Sequence, residues 1–370
     1  MAKIILMPDS FKGSLTQFEF IEIAREVIFG KNPQAQLTVI PMADGGEGTV
    51  DCFLASLSGE KRELEVTFSN FEKRTAYWGD FGDFAVMEAA SACGLAQTRI
   101  KNPTITTTFG MGEIIADIIK HGINHIIIGL GGSSTNDMGA GMAAALGVKF
   151  YKKDGSVFVP TGGTLSEVAS MDCSAAKALL KGVKVTAMCD VTNPLYGEEG
   201  AAHIYSRQKG ASEMEVLLLD ANLRYMASLI EDGERIAATP GAGAAGGLGA
   251  GVPAFLGGEL KSGIDLLLDL TGFDNYAPGA DYIITGEGKL DSQSAHGKVI
   301  SGIGARAKAY GKKIIVFCGR NDLTQKEAED LNIEEIVEIT PRGIEINTAL
   351  EGAKKYLKLA LESFFNLHQI

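Results

Sequence analysis

The feature that most constrains this chain is an alternation. Short runs rich in β-branched residues are separated by longer segments of helical period, the pattern of parallel strands joined by crossover helices. The first unit is the clearest: a strand over 3–7, a loop, a helix over about 15–29 and a second strand over 37–40. Ser14 and Gln17 have capping-box spacing, Phe18, Ile21, Ala24 and Ile28 fall on one face, and Gly30 followed by Pro33 supplies the stop. Further strands are expected at 125–128, 183–188, 282–284, 314–317 and 335–339. The class is α/β.

Open α/β sheets bind ligands just beyond the carboxyl ends of their strands, so the segment after each strand carries the functional reading. After the first comes Asp9-Ser10-Phe11-Lys12-Gly13-Ser14, and after the second Asp44-Gly45-Gly46-Glu47-Gly48. If these strands are parallel neighbours through a right-handed crossover, both loops leave one sheet edge and Asp9, Lys12, Asp44 and Glu47 converge. The third exit, Gly131-Gly132-Ser133-Ser134-Thr135-Asn136-Asp137, precedes a small-residue helix over 139–146. It reads as a phosphate cradle, with glycine N–H groups turned toward an anion and the helix dipole adding favourable potential. The fourth, Asp190-Val191-Thr192-Asn193, offers a carboxylate and an amide as oxygen ligands for magnesium or a substrate hydroxyl. The fifth, Gly286-Glu287-Gly288-Lys289-Leu290-Asp291, joins a lysine to carboxylates, whereas Cys318-Gly319-Arg320-Asn321-Asp322 reads as an ordinary surface turn.

Any one of these loops alone is more often a tight turn than a site, and it is their coincidence at successive strand ends that points to a ligand. The run from Gly241 to Gly251 formally contains G-x-G-x-x-G, but it follows a poor strand and has no acidic residue about twenty positions on to hold a ribose. It also lacks the Gly-Lys-Ser/Thr ending of a Walker loop, so its small residues serve either close helix approach or nucleotide contact.

With 370 residues and 45% hydrophobic content the chain can bury a sizeable core, and two domains are expected. A net charge of -12 disfavours nucleic acid and anionic membrane surfaces as partners, and any phosphate site must be built locally. Five scattered cysteines without a C-x-x-C pair argue against a disulfide framework or a zinc site and fit a reducing cytoplasm. The opening apolar run is too short for a secretory signal, and no segment reaches the ~18 apolar residues of a membrane span. His121 and His125 are read as structural because Gly122 breaks the helix between them, and Trp78 as packing.

The loops above, together with Thr106-Thr107-Thr108-Phe109-Gly110-Met111-Gly112-Glu113, Gln208-Lys209-Gly210-Ala211 and Pro240-Gly241-Ala242-Gly243-Ala244-Ala245-Gly246-Gly247-Leu248-Gly249, resemble in order and content the type I glycerate kinase family, found mainly in bacteria. The match spans nearly the whole chain. Departures are small: Met138 stands where Gly is usual, Lys289 where Arg is common, and Cys93 where Ser is usual. The resemblance implies phosphorylation of D-glycerate by ATP with Mg2+, giving 2-phosphoglycerate, with the 3-phosphoglycerate product left open. It also implies two α/β domains around a cleft, one Rossmann-like with a mostly parallel sheet built from both chain ends, the other a mixed α/β domain from the middle segment. We place the boundaries near Ser69 and Thr271, giving 1–69 with 272–370, and 70–271.

On this reading Lys12 and Lys289 steady phosphate oxygens or the glycerate carboxylate, and the N–H groups of Gly131 to Ser134 cradle nucleotide phosphates. Asp190, with Asp44 or Asp291, holds magnesium or takes the proton of the attacking hydroxyl. Asp9, Ser10, Glu47, Asn136, Asp137, Asn193, Gly286 and Glu287 complete the contacts. Two rivals fare worse: a nicotinamide dehydrogenase lacks its strand-bound fingerprint, and a non-catalytic metabolite sensor on the same fold lacks a helix-turn-helix or basic patch as output.

Overall fold

The structure, a computed structural model, describes residues 1–11, 13–291 and 298–368. In chain order its strands begin with β1 (Lys3–Pro8), β2 (Gln36–Val39), β3 (Glu60–Thr67), β4 (Lys73–Asp80), β5 (Ala85–Glu88), β6 (His125–Gly129) and β7 (Lys149–Tyr151). They continue with β8 (Val157–Phe158), β9 (Ser170–Asp172), β10 (Lys184–Met188), β11 (Glu259–Lys261), β12 (Tyr282–Leu290), β13 (Ile314–Asn321) and β14 (Ile333–Glu338). The helices used below are α1 (Gln17–Lys31), α2 (Thr49–Ser56), α3 (Ala140–Ala145), α4 (Ala244–Gly251), α5 (Ile346–Glu351) and α6 (Ala353–Leu367).

The chain divides into two compact units. The first comprises Met1–Ala43, Ala55–Leu57 and Ile264–Ile370, the second Asp44–Leu54 and Ser58–Gly263. The first crossing thus falls at Ala43/Asp44 rather than near Ser69. The stretch from Asp44 is tied to the second unit by Gly131 N–H donating to Gly45 O and by Gly48 and Val50 N–H donating to Glu88. After the brief return at Ala55–Leu57, the charge-rich hairpin β3–β4, unassigned in the sequence reading, pairs through β5 with the second unit's sheet.

The first unit carries a five-stranded sheet of order β14-β13-β12-β1-β2. Every pairing in it is parallel, so β1 and β2 are neighbours as their crossover predicts. Ile4 to Met7 are at most 2% exposed, as a central strand of a parallel sheet must be. Helix α1 buries Phe20, Ile21, Ala24, Val27 and Ile28, and α6 brings Leu357, Leu361, Phe364 and Phe365 into the same cluster. The expected Phe18 is only half-buried, and Phe20 takes its place. The capping box is Thr16 with Glu19, not Ser14 with Gln17. Ser14 is used one turn earlier, its N–H and hydroxyl both donating to Phe11 O, so the helix starts after that turn closes.

In the second unit a six-stranded sheet runs β11-β10-β6-β5-β4-β3, parallel from β11 to β5 and antiparallel beyond, beside a small antiparallel sheet β8-β7-β9. Trp78 is fully buried in this unit's core and donates its indole N–H to Asp117 at 3.0 Å.

Candidate active site

In the second unit, the loops after β6 and β10 and the segment leading into α2 line a pocket of ≈ 350 Å³. Its chemistry comes from Asp44, Gly131, Gly132, Ser133, Asp190 and Lys209. Glycine is needed here because two backbones touch. A Cβ on Gly131 would sit 2.6 Å from the Cα of Gly46, and Gly131 N–H donates to Gly45 O at 2.8 Å.

Lys209 is the group on which the pocket turns. Its side chain is 3% exposed, and its ammonium donates to Ser133 Oγ at 3.0 Å and to Thr135 O at 2.7 Å. Burial pulls its pKa down to about 8, against the attraction of Cys93 and Asp137. The ammonium has a third N–H beyond those two bonds. Asp190 is half-buried, and Gly263 N–H donates to its Oδ1 at 3.1 Å. Asp44 accepts from Gly46 N–H at 3.0 Å. Tyr205 also lines the pocket, its hydroxyl held by Asn193 Oδ1 at 2.6 Å.

The cradle is smaller than the sequence implies. Gly131 and Ser134 spend their N–H groups on Gly45 O and Cys93 O, so only Gly132 and Ser133 carry amides outside those bonds. The expected dipole of the following helix is also spent. Asp137 is wholly buried and accepts from Thr108 N–H and Oγ1, Gly139 N–H and Gly141 N–H, capping α3 from inside the protein. Burial raises its carboxyl pKa although these four donors pull it down. Asn136 is fully buried, and Asn193 braces its own loop through Glu199 O and Tyr205, so neither is among the lining residues. Glu47 is exposed and receives Gln97 Nε2 at 3.4 Å.

A second carboxylate does for α2 what Asp137 does for α3. Glu88, at the end of β5, is fully buried and accepts from Gly48 N–H and Val50 N–H, each at 3.1 Å, and from the Tyr77 hydroxyl at 3.0 Å. It thereby fixes the glycine loop that carries Asp44.

The first unit has its own pocket, ≈ 590 Å³, at the carboxyl ends of β1, β12 and β13. Asp9, Ser10, Glu287, Lys289 and Arg320 bring polar groups to it. Asp322 receives both cations, Arg320 at 2.8 Å and Lys289 at 3.3 Å, while Asp291 holds Lys289 at 2.8 Å. The Cys318–Asp322 exit, expected to be a plain turn, therefore supplies a charged edge of this pocket. Gly286 serves packing, since a Cβ there would meet Phe20 at 2.6 Å. Lys12 lies outside the described residues.

A model of the glycerate kinase family matches residues 4–369. The chain belongs to that family. It is 40% identical over 370 residues to a glycerate kinase of Bacillus cereus, covering 98% of this chain and 96% of that one. It is 42% identical over 323 residues to the glycerate 2-kinase of Escherichia coli, covering 86% and 85%. A crystal structure from Salmonella typhimurium LT2, described as a glycerate kinase 2, aligns over 100% of this chain and 98% of its own with TM-score 0.86 at 35% identity.

Within the glycerate kinase framework, the residues that sequence reasoning passed over are Lys209, Glu88 and Arg320. Lys209 stands in a quoted motif, Gln208-Lys209-Gly210-Ala211, but nothing in the residue type separates a buried lysine from a solvated one. The available signal was its following glycine. Gly210 is left-handed at φ 100, and a Cβ there would fall 2.0 Å from Lys101 O, which marks a tightly enclosed turn.

Proposed function

We propose that this chain transfers the terminal phosphoryl group of ATP to a hydroxyl of D-glycerate, giving 2-phosphoglycerate. Family membership and 42% identity to a glycerate 2-kinase support the reaction. The observation that carries the assignment of the acceptor site is that the buried Lys209 lines one ≈ 350 Å³ pocket together with Asp190 and Asp44. That volume and charge pattern suit a small hydroxy acid. Its carboxylate would meet Lys209 and the amides of Gly132 and Ser133, and its attacking hydroxyl would meet a carboxylate able to accept the proton.

Phosphoryl transfer asks the protein for positioning and charge neutralisation more than for covalent chemistry. Magnesium, if held here, would supply charge neutralisation on the phosphates. Among the described residues no group of three or more His, Cys, Asp or Glu gathers into a metal cage. Magnesium commonly takes one or two protein carboxylates and completes its shell with phosphate and water. In the second unit Asp190 and Asp44 would supply them. In the first unit, Lys289 with Asp291 would steady phosphate oxygens. The five free cysteines fit a reducing, cytoplasmic setting. No helix among the described residues is long and apolar enough to cross a membrane.

Incubation with MgATP and D-glycerate, with the product isomer identified by phosphorus NMR, tests the reaction. A 3-phospho product corrects the regiochemistry, and no product defeats the reading. Asp190→Asn is expected to lower kcat by about 100-fold or more with the fold intact, the scale of a lost proton acceptor or metal ligand. A raised magnesium requirement with the wild-type pH profile would mark Asp190 as metal ligand; a lost acidic limb at unchanged magnesium requirement would mark it as base. Wild-type kinetics would remove it from the site.

A further inference from the structure

The pocket of the first unit is chemically graded, and its strand order says in which direction. Following the sheet from its β14 edge inward, the strand ends present Ile339 and Thr340, then Gly319 and Arg320 of β13, then Glu287 to Lys289 of β12, then Asp9 and Ser10 after β1. Three inter-strand steps span ~14 Å. The β14 end is widened by the segment leading into α5 and by that helix itself, which add Ile344, Ile346, Ala349 and Leu350. Ile346 is 75% exposed and Leu350 39%, both in a pocket wall. Apolar side chains held open to solvent beside a cation pair form a bipolar cavity. A bipolar ligand matches it, with a flat apolar head and an anionic tail.

We propose that this pocket is the nucleotide site: purine and ribose occupy the slot between Ile339–Thr340 and α5, and Arg320 with Lys289 receives the phosphates. Naming the nucleotide as ATP rests on the kinase reading above; the slot and its polarity do not. Asp322, bonded to both cations, is a positioning residue that holds them side by side. Asp9 and Glu287 close the polar end against bare anions, so the pocket favours a phosphate chain neutralised by a divalent cation over the free polyanion. The base gains apolar contact with the isoleucines of the slot.

The test is calorimetric titration of the full chain with MgADP, without glycerate, alongside steady-state kinetics. Ile346→Asp and Leu350→Asp alter exposed positions and are expected to keep wild-type circular dichroism. Each should weaken MgADP and raise KM for ATP by about tenfold or more, with KM for glycerate within about twofold of wild type. Arg320→Ala should weaken MgADP similarly, and adenosine alone should compete in wild type but not in Ile346→Asp. Unchanged MgADP affinity in both slot variants overturns the proposal. So does a change confined to oligomeric state in sedimentation, which would give the slot to a second copy of the chain. A wild-type protein that binds MgADP through the slot but never phosphorylates glycerate defeats the kinase reading and leaves the slot standing; an active enzyme whose KM for ATP ignores the slot variants does the reverse.

Discussion

A lysine at 3% exposure is costly to keep charged, and Lys209 retains its charge only through Ser133 Oγ and Thr135 O and the nearby acidic groups. With a pKa near 8 it is mostly an ammonium at neutral pH and loses its charge as pH rises through that value. We expect kcat/KM for glycerate to fall above about pH 8, and this alkaline limb to vanish in Lys209→Met along with about 100-fold of activity. The stability effect has the opposite direction. The unfolded lysine keeps its proton up to about 10.5 while the folded one releases it near 8, so wild-type stability rises with pH between those values and the burden is full below 8. The Tm of Lys209→Met minus that of wild type should therefore shrink as pH goes from 8 to 10, measured by calorimetry; a constant difference would mean that Lys209 is not depressed. The placing of Asp44 and Asp190 on a pocket wall was legible in the sequence because strand-end acids are conspicuous. Lys209 was not, because enclosure by distant backbone leaves no mark on the residue itself.

Among the elements, the run opening at Gly241 answers a question its sequence left balanced. Ala245, Gly246 and Gly247 are successive left-handed residues at φ 54, 72 and 90 that break α4. Added Cβ atoms on Gly243, Gly246, Gly249 and Gly251 would fall 2.2, 1.9, 1.9 and 2.3 Å from the carbonyl oxygens of Pro194, Thr135, Gly241 and Met138. Close backbone approach is thus the main reason for the glycines, while Ala244 and Ala245 alone of the run line the pocket. Gly246→Ala should destabilise the protein by about 2–4 kcal/mol or prevent folding, with Thr135, a partner of Lys209, displaced; thermal melting within a degree of wild type would contradict this. The parallel strands were readable because buried strands form continuous apolar runs. The hairpin β3–β4 was not, since Glu60–Thr67 opens with four consecutive charged residues on a largely exposed edge strand, and only its second half, from Leu64, shows the apolar alternation that marks a strand.

At the scale of the molecule, a net charge of -12 opposes two anionic substrates, so binding depends on local cations against a repulsive background. Raising ionic strength from ~10 to ~150 mM should screen that background and increase kcat/KM for both substrates, since the Debye length shrinks from ~30 to ~8 Å while buried Lys209 is screened little. A monotonic fall with salt would show that exposed cations dominate instead. The division into units was only partly visible, because the early crossing is set by long-range bonds of the Gly45–Val50 stretch to Gly131 and Glu88 rather than by a linker of distinctive composition. The internal caps on α2 and α3 have a further consequence. Helix N-termini ordinarily welcome sulfate or phosphate. Here Glu88 and Asp137 already hold those amides, so the second unit's pocket meets an incoming acid with one ammonium and the amides of Gly132 and Ser133. Such a cavity suits a singly charged guest and gives a doubly charged one little extra hold. Inorganic sulfate should therefore compete poorly with glycerate, and a phosphorylated product should dissociate readily.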